Sequence, residues 1–180
     1  MVYGFLLADA VDPRHFVIRE GQGGSSSAML QKWEENPAEM VSELIRRDIE
    51  ASGLFQKAVD QWSTVRHRYA LEGKINTLHA VASRGKAKIQ MEVEATLIDF
   101  EQRPGRGKTL MKKDYKIEVP SADTSSSSIA RAINLAVKQL SERVRSDIRE
   151  SLTPSGESGD DRQELWRPEL PVRLSLGNLM

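Results

Sequence analysis

Five residues, Gly105-Arg106-Gly107-Lys108-Thr109, end the way a phosphate-binding loop ends. The complete pattern needs a glycine at position 102 so that consecutive amides can turn toward phosphate, and this chain has Gln102 there. A phosphate cradle also joins a strand to a helix, whereas this segment joins two stretches that both read as strands. Three histidines, His15, His67 and His79, fall on separate extended stretches with no carboxylate at ligand spacing. No serine sits in a G-x-S-x-G elbow. The absence of cysteine excludes disulfides, thiolate catalysis and cysteine-ligated metal. These residue types predict no enzyme, no metal and no cofactor; what remains is the chemistry of binding.

For binding, four kinds of residue stand out. Asp48 falls in the middle of an apolar helical stripe, where a carboxylate needs partners or water. It reads as a polar anchor or an open stripe edge, and otherwise as a contact residue. Trp33, Trp62 and Trp166 lie outside the strongly periodic elements. Tryptophans so placed serve as lids on a core, and tryptophan is also enriched at binding hot spots. In the last residues Val172, Leu174 and Leu176 alternate, as an added edge strand would; a disordered tail is the other reading.

The elements that must hold these residues are written in the hydrophobic period. Asn36, Pro37 and Glu39 announce a helix start with a capping box. Met40, Val41, Leu44, Ile45 and Ile49 then form one face, and Gly53 suits a left-handed helix end. A helix is predicted over residues 37–52. Three long stretches, 66–81, 87–101 and 109–119, alternate in twos, most cleanly from Ile89 to Leu97. The gaps at Ser83–Lys86 and Arg103–Lys108 are hairpin-sized, so the three predict an antiparallel meander. After the serine run Ser125–Ser128, a second apolar stripe runs from Ile129 to Ile148. Ahead of all these lie short extended runs at 2–8 and 15–19, and Gly21–Ser27 reads as a flexible loop.

The 180 residues suit one domain with a sizeable core. Lys plus Arg and Asp plus Glu both number 26, which leaves no surplus of positive charge for nucleic acid. No run approaches a membrane span, and the first residues lack the sections of a signal peptide. The fold predicted is α+β: a two-layer, mainly antiparallel sheet with two amphipathic helices on one face. Residues 1–152 form the domain, and 153–180 a flexible linker and tail. Such a sheet leaves its other face and its edges free for a partner or an apolar ligand, and a contiguous apolar patch there would favour a homo-oligomeric ring.

The order of elements carries a resemblance. Phe16-Val17-Ile18-Arg19 leads by a loop to Trp33-Glu34-Glu35-Asn36-Pro37-Ala38-Glu39-Met40-Val41. Arg47–Phe55, Tyr69–Gly73 and Ala130–Ile133 follow. Over about residues 1 to 150 this resembles the ABC-type transport auxiliary lipoprotein family, periplasmic partners of lipid transporters built from MCE (mammalian cell entry) proteins. The resemblance implies a fold similar to the TolB N-terminal domain and a lipoprotein anchored to the outer membrane. A lipobox cysteine and signal peptide would then lie upstream of this sequence. It also implies docking on MCE or ABC transporter components, with phospholipid as a further ligand. It fixes no binding residue. A scaffold or regulator of the same fold, binding an envelope enzyme or cell-wall polymer, is the alternative.

Overall fold

The computed structural model describes residues 2–20, 28–60, 62–100 and 107–153. The chain runs β1 (Val2–Leu7), β2 (His15–Glu20), β3 (Ala28–Lys32), α1 (Pro37–Ala51), β4 (Tyr69–Ser83), β5 (Lys86–Asp99), β6 (Lys108–Ser121) and α2 (Ser126–Leu152). The six strands form one sheet in the order β3-β2-β4-β5-β6, with β1 also on β4. The predicted α+β architecture is the one observed.

The meander β4–β5–β6 is antiparallel throughout. Its first turn needs only Arg84 and Gly85, both at positive φ (51° and 76°), the twist a two-residue hairpin demands. The residues expected in the second turn lie largely outside the described ones. β1 and β2 follow no hairpin logic. Both run parallel to β4 and share one of its edges end to end, Val2–Leu7 along Leu71–Ile75 and Val17–Glu20 along His79–Ala82. Gly73 makes room for this pairing, because a Cβ there would stand 2.1 Å from the Phe5 ring. β3, which was not expected, pairs antiparallel with β2 and ends the sheet. The Gly21–Ser27 loop and the 154–180 linker and tail, including Trp166, Val172, Leu174 and Leu176, lie outside the described residues.

Both helices start on capped amides. The Asn36 side chain accepts from Ala38 N at 2.9 Å, with Pro37 in the first turn. Glu39 returns no bond to Asn36 among the described residues, so the expected capping box is only half made. The second helix begins earlier than its apolar stripe, because Ser125 caps it and the serines form its first turn. α1 buries Val41, Ile45 and Ile49, and α2 buries Ile129, Ile133, Ala136, Val137, Leu140, Val144 and Ile148. These meet Ile75, Ile89, Met91, Val93, Leu97, Ile117 and Val119 in one core. At roughly 1.5–3 kcal/mol per fully buried aliphatic chain, this layer dominates the stability.

The sheet's second face answers the question of an apolar patch across β5 and β6. It is charged rather than apolar. Across β5 and β6, Lys88 and Gln90 both bond Glu118 (2.8 and 2.9 Å), Lys116 pairs with Glu92 (3.1 Å) and Lys112 with Glu94 (3.1 Å). Opposite charges placed directly or diagonally across strands keep this surface solvated. Across β5 and β6 it offers no contiguous apolar patch among the described residues. Among the described residues, no helix is long and apolar enough to cross a membrane.

Candidate functional site

At the β2–β3 end of the sheet, on the helix side, the layer of helices stops short. A groove of about 430 Å³ opens there between β2–β3, the loop into α1, and the first turns of both helices. Its floor is Phe16, Ile129 and Ile133, and Trp33, Met40, Gln31 and Ala130 form its walls. Phe16, Ile129 and Ile133 are almost wholly buried, while Trp33 and Met40 are half-buried. The alternation of β2 turns Phe16 and Ile18 toward the helices, and Trp33, just past β3, lays its ring edge-on against Phe16 with centroids 5.3 Å apart.

Trp33 is therefore a lid on the core, as one reading of the sequence had it, and also a wall of the groove. Its indole Nε1 is buried with no hydrogen-bond partner among the described residues. An unpaired buried donor costs about 1–3 kcal/mol. Lys32, Glu34 and Glu35 stand at the rim. The apolar side chains that line the groove suit other apolar side chains.

The other sequence candidates lie elsewhere. Asp48 sits half-exposed at the edge of the α1 stripe, with no hydrogen bond or ion pair to its carboxylate among the described residues; it is an edge open to water. Trp62 is not a lid: it is 82% exposed, beside a shallower hollow of about 260 Å³ lined by Gly4, Phe5, Ser42, Arg46 and Asp60. The structure brings Trp33, Asp48 and Trp62 to no common site. The histidines are also apart. His15 bonds Asp12 at 3.1 Å, His67 stands edge-on to Phe100, and His79 lies beside Val17 on the charged face. Burial, joined by the charge of Arg19, pushes the His79 imidazole below its ordinary pKa. Among the described residues, no three histidines or carboxylates gather to hold a metal.

Sequence reasoning missed Phe16, Met40, Ile129 and Ile133 as groove residues. Their periodicity marks them as core, and periodicity cannot say where one layer ends before the other. The signal that was present is the mismatch in length: two short strands feed a corner that two helices approach only with their first turns.

A second contrast concerns the sheet's edges. On β1, the outward Phe5 N–H donates to Ser42 Oγ at 2.7 Å, so α1 closes that edge. β6 carries Lys108, Lys112, Lys113, Lys116 and Pro120, residues that discourage further pairing. Among the described residues, β3 has neither device beyond Lys32. Met29 (55% exposed) and Leu30 (57%) stand on its opposite faces.

Several comparisons bear on this arrangement. A crystal structure from Xanthomonas campestris superposes with a TM-score of 0.68 at 16% identity, covering 83% of each chain. A second crystal structure, of an uncharacterized protein, gives 0.59 at 10% identity and covers 82% of this chain and 89% of its own. At such identities the likeness is one of fold. No curated protein matches the sequence. The profile of the ABC-type transport auxiliary lipoprotein component family, however, matches residues 5–145, a span from β1 into the last turns of α2 that takes in every groove-lining side chain. On that match, this chain belongs to the ABC-type transport auxiliary lipoprotein component family.

Proposed function

We propose that this chain is a non-enzymatic accessory subunit that docks on a component of an ABC-type transport system at the cell envelope. The system, in this reading, is of the MCE-associated kind that moves phospholipid or another hydrophobic solute, and the subunit works in the periplasm, tethered to the outer membrane. The observation that carries the docking role is the apolar groove with the unpaired Trp33 Nε1 at its wall. About 430 Å³ lies low in the range of ligand cavities and suits two or three apolar side chains of a protein segment better than a pair of acyl chains. Lipid is then the cargo of the assembly, and protein is what this subunit holds.

Ala130 supplies the test, because it is exposed on α2 yet lines the groove. Ala130→Trp fills the groove without touching the core. Isothermal titration of the full chain against the periplasmic MCE component should give saturable binding that weakens at least tenfold in the variant. Equal affinity of the two proteins refutes the groove as the docking site, and no binding by either refutes the partner. Mass spectrometry of lipid extracts from the purified chain should find no stoichiometric phospholipid.

A further inference from the structure

The free edge of β3 has a defined hydrogen-bonding pattern. Trp33 N donates to Arg14 O at 2.9 Å, which makes that pair a hydrogen-bonded one. Alternation along the antiparallel register then pairs Phe16 with Gln31 and Ile18 with Met29 in the same way. The N–H and C=O groups of Ala28, Leu30 and Lys32 consequently point away from β2, along the open edge. Five residues of strand thus present three outward donors and three outward acceptors, flanked by Met29 and Leu30. Bare edges of this kind are templates for pairing, and the molecule closes or charges its other two.

We infer that residues Val172–Leu176 of the same chain pair along this edge and set Val172, Leu174 and Leu176 on the groove side. Three features support the choice of occupant. The segment has five residues, as β3 does, and alternates Val172, Leu174, Leu176 with Arg173 and Ser175. It also reaches. α2 has 27 residues and is about 40 Å long, with its first turns at the groove. The eighteen residues 154–171 can extend about 60 Å, enough to return along the helix. Finally, a tethered segment acts at an effective concentration near the millimolar range, which outcompetes a second copy in dilute solution.

This inference goes beyond the docking role and does not depend on the transport partner, because it concerns the free chain. Amide hydrogen exchange of the full-length protein, followed by NMR at 10-fold different dilutions, tests it. The outward amides of Leu30 and Lys32 should exchange at least a hundredfold slower than exposed-chain rates, independent of concentration. Val172→Asp with Leu174→Asp should return them to exposed-chain rates while Met91 and Val93 in β5 stay protected. Arg173→Ala, on the opposite face of the added strand, should leave most of the protection. Free exchange of Leu30 and Lys32 in the unaltered chain overturns the proposal. So does protection that rises with protein concentration, which would make a second copy the occupant.

Discussion

Where β5 and β6 meet α2, the charged and phenolic groups at the interface are paired, although the buried Ser141 Oγ on α2 has no partner among the described residues. Tyr115 donates to Asp147 Oδ2 at 2.7 Å, Lys113 donates to Asp147 Oδ1 at 2.7 Å, and Arg143 donates to the carbonyl of Lys116 at 3.1 Å. Where β2 and β3 leave the helices, apolar side chains stand on both faces of a two-strand wing and an indole N–H goes unpaired. The first region spends its side chains on internal closure. The second leaves Met29 and Leu30 exposed and the buried Trp33 Nε1 without a partner among the described residues. On the docking role proposed above, stability and recognition fall at opposite ends of one sheet.

The sharpest way to break this comparison is to make one change in both regions. Leu140, fully buried on α2, should lose about 2–5 kcal/mol on substitution by alanine, read as a shift of the urea midpoint. Leu30→Ala in the wing should change stability by less than about 0.5 kcal/mol. Similar losses at both positions would show the wing to be part of the core.

A smaller effect is expected at the Tyr115–Asp147 contact. Tyr115→Phe should cost about 1–2 kcal/mol, since it removes one bond to a charged acceptor that keeps Lys113. It also alters the response to acid. Burial pushes the Asp147 carboxyl upward, but the bonds from Lys113 and Tyr115 and the charge of Lys113 outweigh it and hold the pKa below the ordinary value. For a carboxylate depressed in the folded state, the stabilisation is present above the unfolded pKa of about 4 and is lost as pH falls through the folded value. Asp147→Asn should therefore flatten the acid limb of stability, and Tyr115→Phe should move that limb to higher pH. An unchanged limb in both variants would remove Asp147 from the clamp. Tyr115 itself is raised above its usual range, first by burial and then by Asp147, so it stays protonated as a donor.

The smallest effect belongs to the charged face. Glu118→Gln breaks the pair with Lys88 on an exposed surface, and exposed pairs are weak and screened by salt. Its unfolding midpoint should coincide with the parent protein's at 0.5 M salt, measured side by side. A persistent deficit there would mean that this face is buried in an assembly.

How much of this was legible beforehand follows the range of the interactions. α1, α2 and the meander announce themselves because each is written in local period and local turn chemistry. The parallel seating of β1 and β2 depends on contacts far apart in sequence, which no local pattern carries, and β3 is five residues with a Met-Leu centre and no alternation. At the site, Trp33 was visible as an aromatic outside the periodic elements. Phe16, Met40, Ile129 and Ile133 were not, because a groove floor and a core have the same sequence signature. The charge of the second sheet face was present in the polar positions of β5 and β6, but reading it required knowing that Lys88, Lys112 and Lys116 stand across from acids.

The shared edge of β4 has a consequence for the nascent chain. β1 and β2 leave the ribosome long before the strand they seat against: Val17 aligns with His79, sixty-two positions later. Until then Phe5, Phe16 and Ile18 lack the sheet that completes their burial, whereas β4, β5 and β6 pair with their neighbours in sequence as soon as they emerge. Loop-closure entropy favours that meander as the nucleus, onto which the N-terminal strands condense last. Synthesis order and assembly order run in opposite directions here, so the interval between them is when this polypeptide most needs a holdase.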